Sequence, residues 1–95
     1  DEVRFEGYRT EDASVILVGY GIVARILRHT VEELRARGVA AGLLRPITLF
    51  PFPSEELRRL ANTVTQFLAV EMSSGQMVED VRLAVNGAAE VAHYG

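Results

Sequence analysis

Ser14-Val15-Ile16-Leu17-Val18-Gly19-Tyr20-Gly21 is a short, unbroken apolar run, rich in β-branched residues, that closes on two glycines. A run of this length without polar alternation is the pattern of a strand buried on both faces of a parallel sheet. It reads as the central strand of the fold. Downstream, Val23, Ile26, Leu27, Val31 and Leu34 recur at three- and four-residue steps, with Arg25, Arg28, Glu32, Glu33 and Arg35 on the other side. That spacing predicts an amphipathic helix stopped by Gly38.

The same alternation continues outward. Val39 to Leu44 reads as a second strand closed by Pro46, and Thr48-Leu49-Phe50-Pro51-Phe52-Pro53 as a stiff apolar connection. Ser54 is placed to cap the next helix, with Glu55 and Glu56 in its first turn, where the helix dipole favours acids. Leu57, Leu60, Ala61 and Val64 form its buried stripe. Gln66 to Glu71 is a third strand. Ser73-Ser74-Gly75 leads into a helix with Met77, Val78, Val81 and Val85 inward and Asn86-Gly87 at its end, and Glu90 to Tyr94 is a fourth strand. The order β-α-β-α-β-α-β predicts a three-layer α/β/α sandwich around a mostly parallel sheet of four to five strands. Right-handed crossovers place the strands that follow it on opposite sides of the central one. Val3 to Tyr8 alternates weakly and is expected to add an antiparallel edge strand. Residues 1–12 thus read as a lead-in segment and residues 13–95 as a single α/β domain. Its end, Val91-Ala92-His93-Tyr94-Gly95, has no polar tail, and the chain is read as a domain excised from a longer subunit.

Composition narrows the chemistry. With 95 residues, 48% of them hydrophobic, the chain holds one domain's worth of core. It contains no cysteine, so disulfides, thiolate metal sites, a cysteine nucleophile and cysteine-ligated iron–sulfur clusters are excluded within these residues. The net charge is −3, and the basic residues, all arginine, are spread from Arg4 to Arg82 with no cluster dense enough to follow a phosphate backbone. Nucleic acid is not an expected partner. No apolar run reaches the roughly 20 residues that span a bilayer, and Asp1 to Asp12 is polar and acidic, so a cytoplasmic protein without membrane contact is expected.

Gly19-Tyr20-Gly21-Ile22-Val23-Ala24 follows a strand and opens a helix, the context of a dinucleotide-binding turn. The acid that would hold a ribose belongs at the end of the next strand, where the sequence has Arg45-Pro46. That disfavours a dinucleotide and leaves two readings ahead of it: glycines that serve helix–strand packing, or an anion site in which free N–H groups join Gly19, Gly21, Arg25 and Arg45. Glu71 lies at the carboxyl end of a strand, where open α/β sheets place ligands, but has no acid, base or metal partner near it in sequence, so a hydrogen-bonding anchor for the following loop is the expected role. His29 and His93 share no metal-ligand spacing. Ser54, Ser73 and Ser74 lack a nucleophile's glycine-flanked context. No catalytic constellation is found.

Three segments, Val18 to Gly21, Leu43-Leu44-Arg45-Pro46-Ile47-Thr48-Leu49-Phe50-Pro51-Phe52-Pro53, and Glu71-Met72-Ser73-Ser74-Gly75-Gln76-Met77-Val78-Glu79-Asp80-Val81-Arg82, resemble the C-terminal domain of the alpha subunit of 2-oxoacid:ferredoxin oxidoreductases, those of 2-oxoglutarate and 2-oxoisovalerate type especially. The resemblance runs from Tyr8 to Gly95 and implies a transketolase C-terminal-like fold. It also implies a parent enzyme that decarboxylates a 2-oxoacid oxidatively, transfers the acyl group to coenzyme A as substrate, and reduces ferredoxin through iron–sulfur clusters, with thiamine diphosphate and magnesium. Those cofactors are expected outside this domain, which itself holds none. The partners implied are the other domains of the alpha subunit, the beta and gamma or delta subunits, and ferredoxin through the complex. Strand edges and apolar loop residues suit assembly, so the surface around Phe50, Phe52 and Met77 is expected to dock a domain or subunit. The rival expectation is an anion or coenzyme A phosphate module at Gly19 to Arg25.

Overall fold

The computed structural model describes residues 3–47, 52–71 and 76–94. In chain order it runs β1 (Phe5–Tyr8), β2 (Val15–Val18), α1 (Ile22–Ala36), β3 (Ala41–Pro46), α2 (Ser54–Leu60), β4 (Gln66–Val70), α3 (Gln76–Val85) and β5 (Glu90–Tyr94). Among the described residues, these strands form one five-stranded sheet in the order β1-β3-β2-β4-β5. β2, β3, β4 and β5 are parallel, and β1 joins β3 antiparallel, with Glu6 opposite Arg45 and Tyr8 opposite Leu43. The apolar run at Val15–Val18 is thus the middle strand, flanked by β3 and β4 as right-handed crossovers require.

The pleat of β2 sorts the core. Ile16 and Val18 point to one face, where Leu44, Phe67 and Ala69 of the neighbouring strands meet Leu57 and Leu60 of α2 and Met77, Val78 and Val81 of α3. Leu17 points to the other face, where Ala41 and Leu43 meet Val23, Ala24, Leu27 and Val31 of α1. This is the expected three-layer sandwich. The layers are unequal, because α1 alone covers its face among the described residues. Leu68 and Val70 are only half-buried against it, and Ala92, which is in register with Leu68, is half-buried too.

Helix ends follow local chemistry. Gly21 takes φ 63° just before α1, and Gly38 takes φ 89° just after it, left-handed angles that cost glycine little. Asn86 and Gly87 do the same after α3. Two expectations need correction. Ile26 is 60% exposed rather than part of the α1 stripe: at roughly 100° per residue it lies about 115° from the centre of the face made by Val23, Ala24, Leu27 and Val31. Ser54 does not cap α2. Pro53 occupies the cap position, where no side chain bonds, and Ser54 is the first residue of the helix itself.

Candidate functional site

At the turn between β2 and α1, the two glycines have structural duties. A methyl group on Gly19 would come within 2.7 Å of Leu27 Cδ1 and 3.1 Å of Val23 Cγ1, so its missing side chain lets α1 lie close on the sheet. Gly21 supplies the left-handed step into α1. Neither lines the cleft nearby. Arg25 and Arg45 do come together, in a cleft of about 530 Å³ between α1 and the β1–β3 edge. Glu6, Tyr8, Arg25, Arg28 and Arg45 line it, with Gly7, Ala24 and Leu43 between them.

The cleft follows from pairing register. Glu6 and Tyr8 stand opposite Arg45 and Leu43, and since Leu43 packs under α1, all four side chains share that face. Arg25 and Arg28 lie one helical turn apart above them. Arg45 donates to Glu6 Oε1 at 3.2 Å, while its Nε is buried without a hydrogen-bond partner. The Arg28 guanidinium carbon lies 4.4 Å from the centre of the Tyr8 ring, a cation–π distance that holds both in place. Three guanidiniums against one carboxylate make the cleft electropositive. Residue spacing did not reveal Glu6, Tyr8 and Arg28 as members; pairing the edge strand with β3 and extending Arg25 by one turn would have found them.

Beside the cleft an ion-pair network ties the end of β1 and the β1–β2 connection to α1. The Tyr8 hydroxyl donates to Glu32 Oε2 at 2.6 Å, and Arg9 donates to both Glu32 oxygens at 2.8 and 2.9 Å. These bonds, the tyrosine's foremost, hold the Glu32 carboxyl below its ordinary pKa. Arg35 donates to Asp12 Oδ1 at 2.7 Å, to the Ala41 carbonyl at 2.7 Å and to the Arg9 carbonyl at 3.0 Å. Its hydrogen bond and then its charge lower the Asp12 pKa.

Glu71, 4% exposed at the carboxyl end of β4, accepts from the Met77 N–H at 3.2 Å and the Val78 N–H at 3.1 Å. It anchors the first turn of α3, so that its oxygens answer backbone donors rather than face a ligand. His29 is exposed on α1. Ser73, Ser74 and Phe50 lie outside the described residues. Phe52 is half-buried against the core, and beside it Val3 and Phe5 at the start of the chain border an apolar groove of about 400 Å³. Met77 is 4% exposed within the chain's own core, so it has almost no surface to give a partner. Among the described residues no group of three or more histidines and acids could hold a metal ion, and no helix is long and apolar enough to cross a membrane.

The family described as pyruvate:ferredoxin oxidoreductase core domain II matches residues 13–94. Ketoisovalerate oxidoreductase subunit VorB of Methanothermobacter thermautotrophicus is 56% identical over 84 residues, 88% of this chain and 24% of that protein. A solved split-gene transketolase, an inactive beta4 tetramer, superposes with a TM-score of 0.84 at 21% identity, over 95% of this chain and 31% of the other. The 2-oxoglutarate:ferredoxin oxidoreductase from Magnetococcus marinus, solved with 2-oxoglutarate, coenzyme A and succinyl-CoA bound, superposes with a TM-score of 0.73 at 19% identity, over 98% of this chain and 16% of the other. At these identities the structural likeness is one of fold. The chain spans about a quarter of the length of the curated relatives it matches, 24% for the ketoisovalerate subunit.

Proposed function

Since the chain belongs to the pyruvate:ferredoxin oxidoreductase core domain II family, we propose that it is a non-catalytic assembly domain of a 2-oxoacid:ferredoxin oxidoreductase subunit. Residues 13–95 make up the domain, and the lead-in residues 1–12 supply its edge strand. The whole protein oxidatively decarboxylates a 2-oxoacid of the 2-oxoisovalerate kind to its coenzyme A thioester and passes the electrons to ferredoxin. The 56% identity to the ketoisovalerate subunit supports that substrate class.

Thiamine diphosphate with magnesium supplies the carbanion chemistry in such an enzyme, and iron–sulfur clusters carry the electrons. On this reading both groups are held by other domains and subunits. There is no cysteine in the sequence, no metal-binding group of acids and histidines among the described residues, and Glu71 is committed to α3.

The assembly role rests on the unequal layers of the sandwich. Half-buried Leu68, Val70 and Ala92 leave apolar sheet surface beside α1 with no helix over it among the described residues, and such a surface is stabilised when another domain or subunit covers it. The groove at Val3, Phe5 and Phe52 offers a second surface of the same kind. Light scattering of the co-expressed complex tests this: Leu68→Asp should yield free subunits in place of the full complex, with near-native circular dichroism. Full assembly of that variant would refute the role.

A further inference from the structure

We propose that the cleft between α1 and the β1–β3 edge is a binding site for a phosphate-bearing small molecule. Three guanidiniums from two elements converge there, while among the described residues the only carboxylate lining the cleft is Glu6. Gathering like charges destabilises a fold unless an anion neutralises them. Of the three, Arg45 alone forms an ion pair with a described residue, and that pair uses NH1. Its Nε is buried without a hydrogen-bond partner among the described residues, while the side chain as a whole is 39% exposed and lines the cleft.

The geometry favours phosphate. Guanidinium forks match phosphate oxygens two at a time, and Arg25 and Arg28 approach from the helix while Arg45 rises from the strand. Arg28 is already oriented by its contact with the Tyr8 ring, and Tyr8 is itself fixed by its bond to Glu32. Less ordering entropy is therefore lost on binding. The cleft, about 530 Å³, falls within the roughly 300–1,000 Å³ of small-molecule sites. Buried Ala24 and Leu43 at its base receive an uncharged part of the ligand, and the Glu6 carboxylate can accept from a hydroxyl on it. This site differs from a helix-turn anion site, since neither Gly19 nor Gly21 takes part. It is independent of the assembly role, which concerns the other end of the same sheet face.

Calorimetric titration of the full-length protein with pyrophosphate, at low salt and with thiamine diphosphate saturating, tests the proposal. The expected result is a saturable step that Arg25→Gln weakens by about tenfold or more, the worth of one charge-assisted pair. Arg45→Gln should do the same, and Arg58→Gln on α2 should leave the step unchanged. Arg25 is exposed, so its substitution leaves the fold intact. Superimposable isotherms for the wild type and Arg25→Gln would overturn the proposal. So would tighter binding of a glutamate-rich peptide than of pyrophosphate, which would assign the cleft to a protein segment.

Discussion

Gly42 and Gly19 both sit where an added methyl group meets a neighbour, and the neighbours differ in kind. At Gly42 the methyl would lie 2.6 Å from the Arg9 carbonyl oxygen, a backbone atom that Arg35 holds with a 3.0 Å hydrogen bond and whose residue already has a left-handed φ of 54°. At Gly19 the obstacle is the tip of Leu27, which can rotate away. Gly42→Ala should therefore cost about 1–3 kcal/mol and Gly19→Ala less, as read by urea unfolding. The reverse ranking would mean that the Arg9 carbonyl is not fixed. Asp12 and Glu32 contribute to the acid limb of stability. Their pKa values are lowered by folding, so the unfolded chain binds more protons and stability rises with pH across that window. The contribution is complete above about pH 5 and lost as the pH falls below about 4, toward the depressed folded values. Asp12→Asn should flatten that part of the profile, and an unchanged acid limb would show that the Arg35 contact does not persist in solution.

Within α1, the sequence period was right and its phase was off by part of a turn. An isoleucine at position 26 looks like a core residue by type, while Ala24, which takes its place on the buried face, looks neutral. Hydrophobicity ranks residues but does not fix the direction a helix turns to the sheet, and α1 buries the face of Val23, Ala24, Leu27 and Val31. Leu27→Ala should cost about 2–4 kcal/mol, whereas Ile26→Ala should stay within about 0.5 kcal/mol; comparable losses from both would place Ile26 in the core after all. The edge strand was the weakest pattern in the sequence because β1 carries three exposed positions out of four, and its antiparallel place comes from pairing with β3 rather than from its own alternation. That pairing also explains why only part of the basic cleft was legible. Arg25 and Arg45 stood out as cations near a glycine turn, but Glu6 and Tyr8 enter through cross-strand register, which no local window contains.

At the scale of the molecule, alternating strands and helices fixed the topology, since crossover handedness leaves one order for β3-β2-β4. The function was legible only through whole segments such as Leu43 to Pro53 and Glu71 to Arg82. No single residue announces an oxidoreductase, because neither the composition nor the spacing of the chain carries a motif of that chemistry. Its physical features are instead those of a component: a sandwich thicker on one face than the other, apolar sheet left half-covered, and a cationic cleft at the opposite edge. The most direct measurement is an anaerobic assay of the full-length protein, co-expressed with its neighbouring subunits, for coenzyme A-dependent reduction of a viologen dye. Turnover with 2-oxoisovalerate exceeding that with 2-oxoglutarate and pyruvate is the predicted result. Silence with every 2-oxoacid, with thiamine diphosphate and iron–sulfur clusters in place, would contradict the account.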